Sequence, residues 1–219
     1  MTSELTLAGF GFPKAGHSES EWEDAGSFSD TRRRFAISDG ASAAYRSGLW
    51  SHLLATGFVD GDLDPADDDA LATWLAERRE RWAERNTVDG DTPFYVQAAT
   101  ERGSWATLLG VAIAPDHTWS ALAIGDSCLF HVRDDRLVAA FPIDTADAFD
   151  NHPPLVPTAG EGLDGVTPNR TTGCLEPGDA LVAVTDALAE WLLGEVGERS
   201  DVWRRLVTVD ESELGRMVV

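Results

Sequence analysis

The chain is short of basic residues, of cysteine and of long apolar runs. Seventeen Lys and Arg stand against 38 Asp and Glu, a formal net charge of −21 over 219 residues. A surface of that sign repels phosphate backbones and anionic lipid, so neither nucleic acid nor membrane is an expected partner. Lysine is nearly missing, with Lys14 the single one. The two cysteines, Cys128 and Cys174, sit in apolar stretches. They lack the paired spacing of a zinc site and are too few to staple a chain of this length, so two buried free thiols are expected. No stretch approaches 18 uninterrupted apolar residues, so no transmembrane helix is expected. The opening MTSELTLAGFGF has no basic start and no long apolar centre. It does not read as a signal peptide, and the expected location is cytoplasmic.

Hydrophobic residues make up 43% of the sequence, enough for a packed core. The length suits one domain over residues 1–219. Alternation predicts strands over residues 4–12, 22–28 and 33–38, the last two joined by a turn at SDTR. Helical spacing follows over 41–59, 71–85 and 94–101. After Gly103 the chain turns strand-rich, with a hairpin at Asp134-Asp135 and a Pro- and Gly-rich excursion over 142–167. Two further strands flank Pro177-Gly178 as their turn, and helices are expected over 187–193 and 201–207. Strands at both ends with helices between them predict an α+β fold with helices on largely antiparallel sheets.

Four acidic points interrupt apolar strands: Glu23-Asp24 in EWEDAGSF, Asp39 in FAISDGAS, Asp126 in ALAIGDS and Asp186 in ALVAVTDA. Singly, each reads as a turn or a helix cap. Together they suggest more, because carboxylates gathered in a low-dielectric site repel and need a cation. All-oxygen ligands favour hard ions such as Mg²⁺ or Mn²⁺. Two such ions can activate a water against phosphorus, and they offset the charge that would repel a phosphate substrate.

The ordered set WEDAGSF, FAISDGAS, GSWATLLGVAI, AIGDSCLFHVRDDRL and GDALVAVTDALAEWL resembles the metal-dependent protein phosphatases of type 2C, nearly from end to end. That resemblance implies an αββα sandwich in four layers, two antiparallel sheets flanked by helix pairs. It implies a phosphoserine/phosphothreonine phosphatase with a dinuclear Mg²⁺ or Mn²⁺ centre, working on a phosphorylated protein and opposing a Ser/Thr kinase. By the same resemblance Asp39 would bridge both metals and the Gly40 carbonyl would contact one. Glu23 would serve one metal, directly or through water, with Asp24 as its supporting partner. Asp186 would hold the other metal, and Asp126 would lie near an optional third.

Three departures stand out against the family pattern. Glu19 occupies the place where an arginine often grips phosphate, which leaves Lys14 and His17 as the nearby cationic candidates for the catalytic site. Ala41 and Ser42 follow Asp39-Gly40 where some relatives carry a histidine acid. Ala187 follows Asp186 where glycine is usual. A late acidic metal-ligand segment followed by a strand is expected at the end of the family pattern. Here VTVDESELGRMVV offers only Asp210, Glu211 and Glu213, so one strong and one weak metal position are expected. A phosphatase-like binding module and a small-molecule phosphate-ester hydrolase are the alternative readings.

Overall fold

In the computed structural model of the chain, residues 6–9, 23–42, 44–87, 92–150, 152–195 and 201–208 are described. Two antiparallel sheets carry the architecture. The first has the order β1-β2-β4-β5-β9, built from β1 (Ala25–Ser29), β2 (Arg34–Ser38), β4 (Leu108–Ile113), β5 (Thr118–Ile124) and β9 (Asn169–Cys174). The second has the order β10-β6-β7, from β10 (Ala180–Val184), β6 (Cys128–Arg133) and β7 (Arg136–Phe141). A two-stranded ribbon pairs β3 (Trp105–Ala106) with β8 (Val156–Pro157). The helices are α1 (Ser47–Asp60), α2 (Asp68–Arg85), α3 (Phe94–Arg102), α4 (Asp186–Glu195) and α5 (Val202–Thr208).

The period-2 alternation of strands sorts apolar side chains into three layers. Trp119, Ala121 and Ala123 of β5 point between the sheets, where they meet Leu129 of β6 and Leu181 and Ala183 of β10. The intervening Leu122 and Ile124 point the other way, into a cluster with Trp50, Leu54 and Phe58 of α1 and Leu71, Trp74, Leu75 and Trp82 of α2. On the second sheet Cys128, Phe130 and Val132 face Ala189 and Leu192 of α4 and Val202 and Trp203 of α5. Helices α1 and α2 thus pack on the first sheet and α4 and α5 on the second. Gly110 of β4 is required for that packing: a Cβ there would stand 2.5 Å from the Phe58 ring.

The structure redraws several local expectations. Residues 6–9 lie outside any strand, and the rest of the expected 4–12 strand lies outside the described residues. The first described strand starts at Ala25 rather than at residue 22, so Glu23-Asp24 precedes β1 instead of lying within it. The first helix starts at Ser47, not at 41, behind Arg46 in the left-handed region (φ 53°). The delay has a cause: the Ala41 N–H donates to the Trp105 carbonyl (3.0 Å), and Gly40 bridges Ala106, so the chain is held extended. Asp39 therefore caps no helix. Asp186 is the first residue of α4, and the Thr185 carbonyl accepts the Ala189 N–H. Pro177-Gly178 does not close a hairpin, because β9 and β10 lie in different sheets. Cys174 is exposed rather than buried, because β9 is an edge strand paired only with β5. Cys128 matches its expectation, and burial pushes its thiol up to about 12.

Candidate functional site

The end of β2 is the centre of the site. Ser38 is buried and its hydroxyl donates to the Thr107 carbonyl, while the Asp39 N–H donates to Thr107 Oγ1 (2.9 Å) and the Thr107 N–H donates to the Asp39 carbonyl (2.8 Å). The Asp39 backbone is thus fixed on both sides while its side chain stays half-buried. Gly40 is buried in a cradle with no room for a side chain: a Cβ would stand 2.7 Å from the Glu23 carbonyl oxygen and 2.8 Å from Ser51 Oγ. Such a backbone approach is open to glycine alone.

The first turns of α1 hold Glu23 against this cradle. Ser47 Oγ donates to Glu23 Oε1 (3.1 Å) and Ser51 Oγ donates to the Glu23 carbonyl (2.5 Å). The two serines are four residues apart and share one helix face. Next to Glu23 in the chain, Asp24 Oδ1 is buried and makes no hydrogen bond among the described residues. A buried carboxylate oxygen without a donor costs free energy unless something outside the chain supplies the charge.

The second pair of acids belongs to the second sheet. Asp126 precedes β6 and is only 7% exposed. Burial, with Asp186 and Asp150 adding repulsion, pushes its carboxyl up to about 6. Among the described residues, no basic group is among the causes that act on it. Asp186, just past β10, accepts the Ala187 N–H (2.7 Å). β10 and β6 pair with Val184 opposite Cys128, so Asp186 and Asp126 emerge from the same end of the sheet.

Thr107 ties the two halves together. Its Oγ1 accepts from Asp39 and lies 2.9 Å from the Ser127 Oγ, next to Asp126. Gly125 (φ 108°) packs so closely that a Cβ there would stand 2.6 Å from the Thr107 methyl. Sequence reasoning missed Thr107, Ser127, Ser47 and Ser51. A signal was present for the two serines alone, which stand four apart in α1 and so share one helix face.

The structure thus brings Glu23, Asp39 and Gly40 together, with Asp24 next to Glu23 in the chain, and sets Asp126 near Asp186 in a second group joined to the first through Thr107 and Ser127. Among the described residues, no three His, Cys, Asp or Glu side chains are gathered closely enough to hold a metal ion. Lys14 and His17 lie outside the described residues, as do Asp210, Glu211 and Glu213.

No protein-family model matches the sequence, and no curated protein does. Solved structures do. The Mycobacterium tuberculosis serine/threonine phosphatase PstP/Ppp superposes with a TM-score of 0.59 at 17% identity, over 96% of this chain and 87% of that one. The chain has the type 2C phosphatase fold. The PstP catalytic domain in complex with two manganese ions gives a TM-score of 0.54 at 17% identity, over 96% of this chain and 88% of its own. PppA, a key regulatory component of T6SS in Pseudomonas aeruginosa, gives 0.52 at 21% identity, over 90% and 82%. At these identities the likeness concerns the fold, and the chemistry rests on this chain's own residues.

Proposed function

We propose that this phosphatase-fold protein is a Mg²⁺- or Mn²⁺-dependent hydrolase of phosphoserine and phosphothreonine in proteins. The observation that carries the reading is the Gly40 cradle with Asp39 beside it: a carboxylate fixed at a strand end, against a backbone packed too closely for any side chain. The donor set fits hard divalent cations. It is all oxygen, it contains Asp24 Oδ1, unpartnered among the described residues, and it contains Asp126, whose carboxyl burial and the nearby Asp186 push up to about 6. Glu23, Asp39 and the Gly40 carbonyl would hold one ion, Asp39 and Asp186 another, with Asp24 supporting Glu23 and Asp126 near a third. Bound divalent ions would supply charge neutralisation and an acidified water for attack on phosphorus.

The chain's own residues supply position. Thr107 fixes the Asp39 backbone, Ser47 orients Glu23, and Ser51 holds the Glu23 carbonyl over Gly40. Lys14 and His17 are proposed to grip the phosphate and to protonate the leaving oxygen. The natural substrate is proposed to be the product of a Ser/Thr kinase in the same, cytoplasmic, compartment, and residues 1–219 to act as one domain. A second reading, a binding module of the same fold without turnover, is favoured by the arrangement of the described acids in pairs rather than in a closer group.

Hydrolysis of p-nitrophenyl phosphate and of a phosphothreonine peptide, with and without Mn²⁺, tests the proposal. Metal-dependent turnover of both is expected. Mn²⁺ binding without turnover would select the second reading, and turnover confined to the small ester would select a small-molecule hydrolase.

A further inference from the structure

The helix α3 buries no side chain in the core. Its first two residues are the most exposed large apolar groups among the described residues, Phe94 at 84% and Tyr95 at 73%. A nine-residue helix presenting two bare aromatic rings is not explained by stability, since exposed rings gain nothing from the hydrophobic effect. The surface is also concave. Phe94, Tyr95, Ala98, Glu101 and Arg102 line an open depression of about 510 Å³, mostly apolar with one charge of each sign. That volume accommodates one or two apolar side chains.

The place of this depression matters more than its composition. α3 ends at Arg102, and three residues later the Trp105 carbonyl accepts the Ala41 N–H, while Ala106 bridges Gly40. At about 3.5 Å per extended residue, and about 1.5 Å per residue back along α3, the path from Phe94 to Asp39 is no longer than about 37 Å, the span of roughly eleven extended residues. A peptide whose phosphate sits at Asp39 therefore reaches the aromatic rings with a side chain no more than about eleven positions away. Trp105, itself partly exposed, lies on that path.

We propose that the Phe94–Tyr95 face of α3 is a docking surface for the phosphoprotein substrate, taking an apolar side chain within about eleven residues of the phosphorylated one. The inference rests on the phosphatase reading above. Charge selects this occupant over the others. Two copies of a chain with net charge −21 repel, and so do this chain and an anionic membrane. A protein segment with basic residues around its apolar anchor is the complement of such a surface. The depression also lacks the convergent buried polar groups that orient a small ligand.

The test compares wild type with the double variant Phe94→Ala/Tyr95→Ala on three probes. These are p-nitrophenyl phosphate, a basic phosphothreonine peptide with Leu or Trp placed two to about eleven positions away on either side, and the same peptide with Ser there. Both rings are exposed, so the variant should fold with an unchanged melting temperature. Wild type should prefer the apolar peptide over the Ser peptide by roughly tenfold in kcat/KM. The variant should lose that preference and keep its rate on the small ester. No preference in wild type, an equal loss on all three probes, or a preference that survives in the variant would overturn the proposal. Calorimetric binding of the apolar peptide, measured without turnover, separates the two readings. If wild type hydrolyses nothing yet binds this peptide through Phe94 and Tyr95, the catalytic reading falls and the docking surface stands. If the peptide does not bind, the docking surface falls. Concentration-dependent dimerisation lost in the variant, or binding to phosphatidylcholine/phosphatidylserine vesicles lost in it, would assign the face to a second copy or to a membrane instead.

Discussion

The strand pair β6–β10 carries buried aspartates at both ends, and the two ends are built on opposite principles. At one end Asp179, its side chain wholly buried, accepts from Arg133 Nε and Nη2 (2.7 Å each), from the Glu176 N–H (2.8 Å) and lies 2.8 Å from His131 Nε2. Both oxygens are engaged, Oδ1 by Arg133 Nε and Oδ2 by the other three partners, and the hydrogen bonds from Arg133 hold the carboxyl well below its ordinary value. At the other end Asp126 is buried beside Asp186, with no basic group among the described residues offsetting them, and its carboxyl is pushed up to about 6. The saturated acid holds the crossing between the two sheets, since it closes the β9–β10 connection onto β6. The unsaturated acids have no structural return for their burial. A carboxylate that the fold fully satisfies is structural, and one that it buries against another acid awaits a cation.

Removing a member of each end breaks the comparison most directly. Asp39→Asn should lower Mn²⁺-dependent hydrolysis by at least about a hundredfold while leaving the apo fold intact, because the amide keeps the shape and loses the charge. Asp179→Asn should do the reverse. It should cost about 2–3 kcal/mol in denaturant unfolding, less than a fully buried pair because Arg133 is partly exposed, and leave the rate per folded molecule unchanged. If Asp179→Asn abolishes turnover at full stability, the division into structural and functional ends is wrong.

The two ends should also respond oppositely to acid in metal-free protein. Asp179 titrates lower in the folded chain than in the unfolded one, so its stabilisation is complete above pH 4 or so and is lost as pH falls below that. Asp126 titrates higher when folded, about 6 against 3.8, so its penalty is present above pH 6 and absent below about 4. Unfolding free energy should therefore rise by about 1 kcal/mol between pH 7 and 5, then fall below pH 4. Asp126→Asn should flatten the first limb only. Saturating Mn²⁺ at pH 7, at about a hundredfold over its dissociation constant, should raise the melting temperature by roughly 5–10 °C. The same rise in a variant lacking Asp39 would place the ion elsewhere.

What the sequence revealed of this follows the same division. Alternation along RFAIS, TWSALAI and CLFHVR made the strands and their two-sided burial legible, because period 2 is written into every residue. The α+β order was legible for the same reason. The acids at Asp39, Asp126 and Asp186 showed because they interrupt apolar runs. The wrong boundaries fell where long-range contacts override local pattern: Gly40 is drawn into a bridge with Ala106, which delays α1 by six residues, and β9 and β10 part to different sheets across a turn that reads as a hairpin. Thr107 and its bond to Ser127 were invisible because a hydroxyl's partner twenty residues away leaves no mark on its neighbours.

Thr107 gives the smallest and most diagnostic expected effect. Its hydroxyl accepts from Asp39 on the first sheet and meets Ser127 beside Asp126, so it sets the distance between the two acidic halves. Its methyl packs under Gly125. Thr107→Val keeps the shape and removes the hydroxyl, leaving the Asp39 N–H and the Ser127 hydroxyl unpaired at a cost of about 1–3 kcal/mol. Thr107→Ser keeps the hydroxyl and loses the methyl, a small cavity worth about 1 kcal/mol. A purely structural threonine predicts that stability alone changes, in proportion to those costs. A positioning threonine predicts in addition that Thr107→Val weakens Mn²⁺ binding about tenfold by calorimetry, whereas Thr107→Ser binds like wild type. Equal Mn²⁺ affinity in both variants would leave Thr107 as a packing residue and the two acidic halves as independent sites.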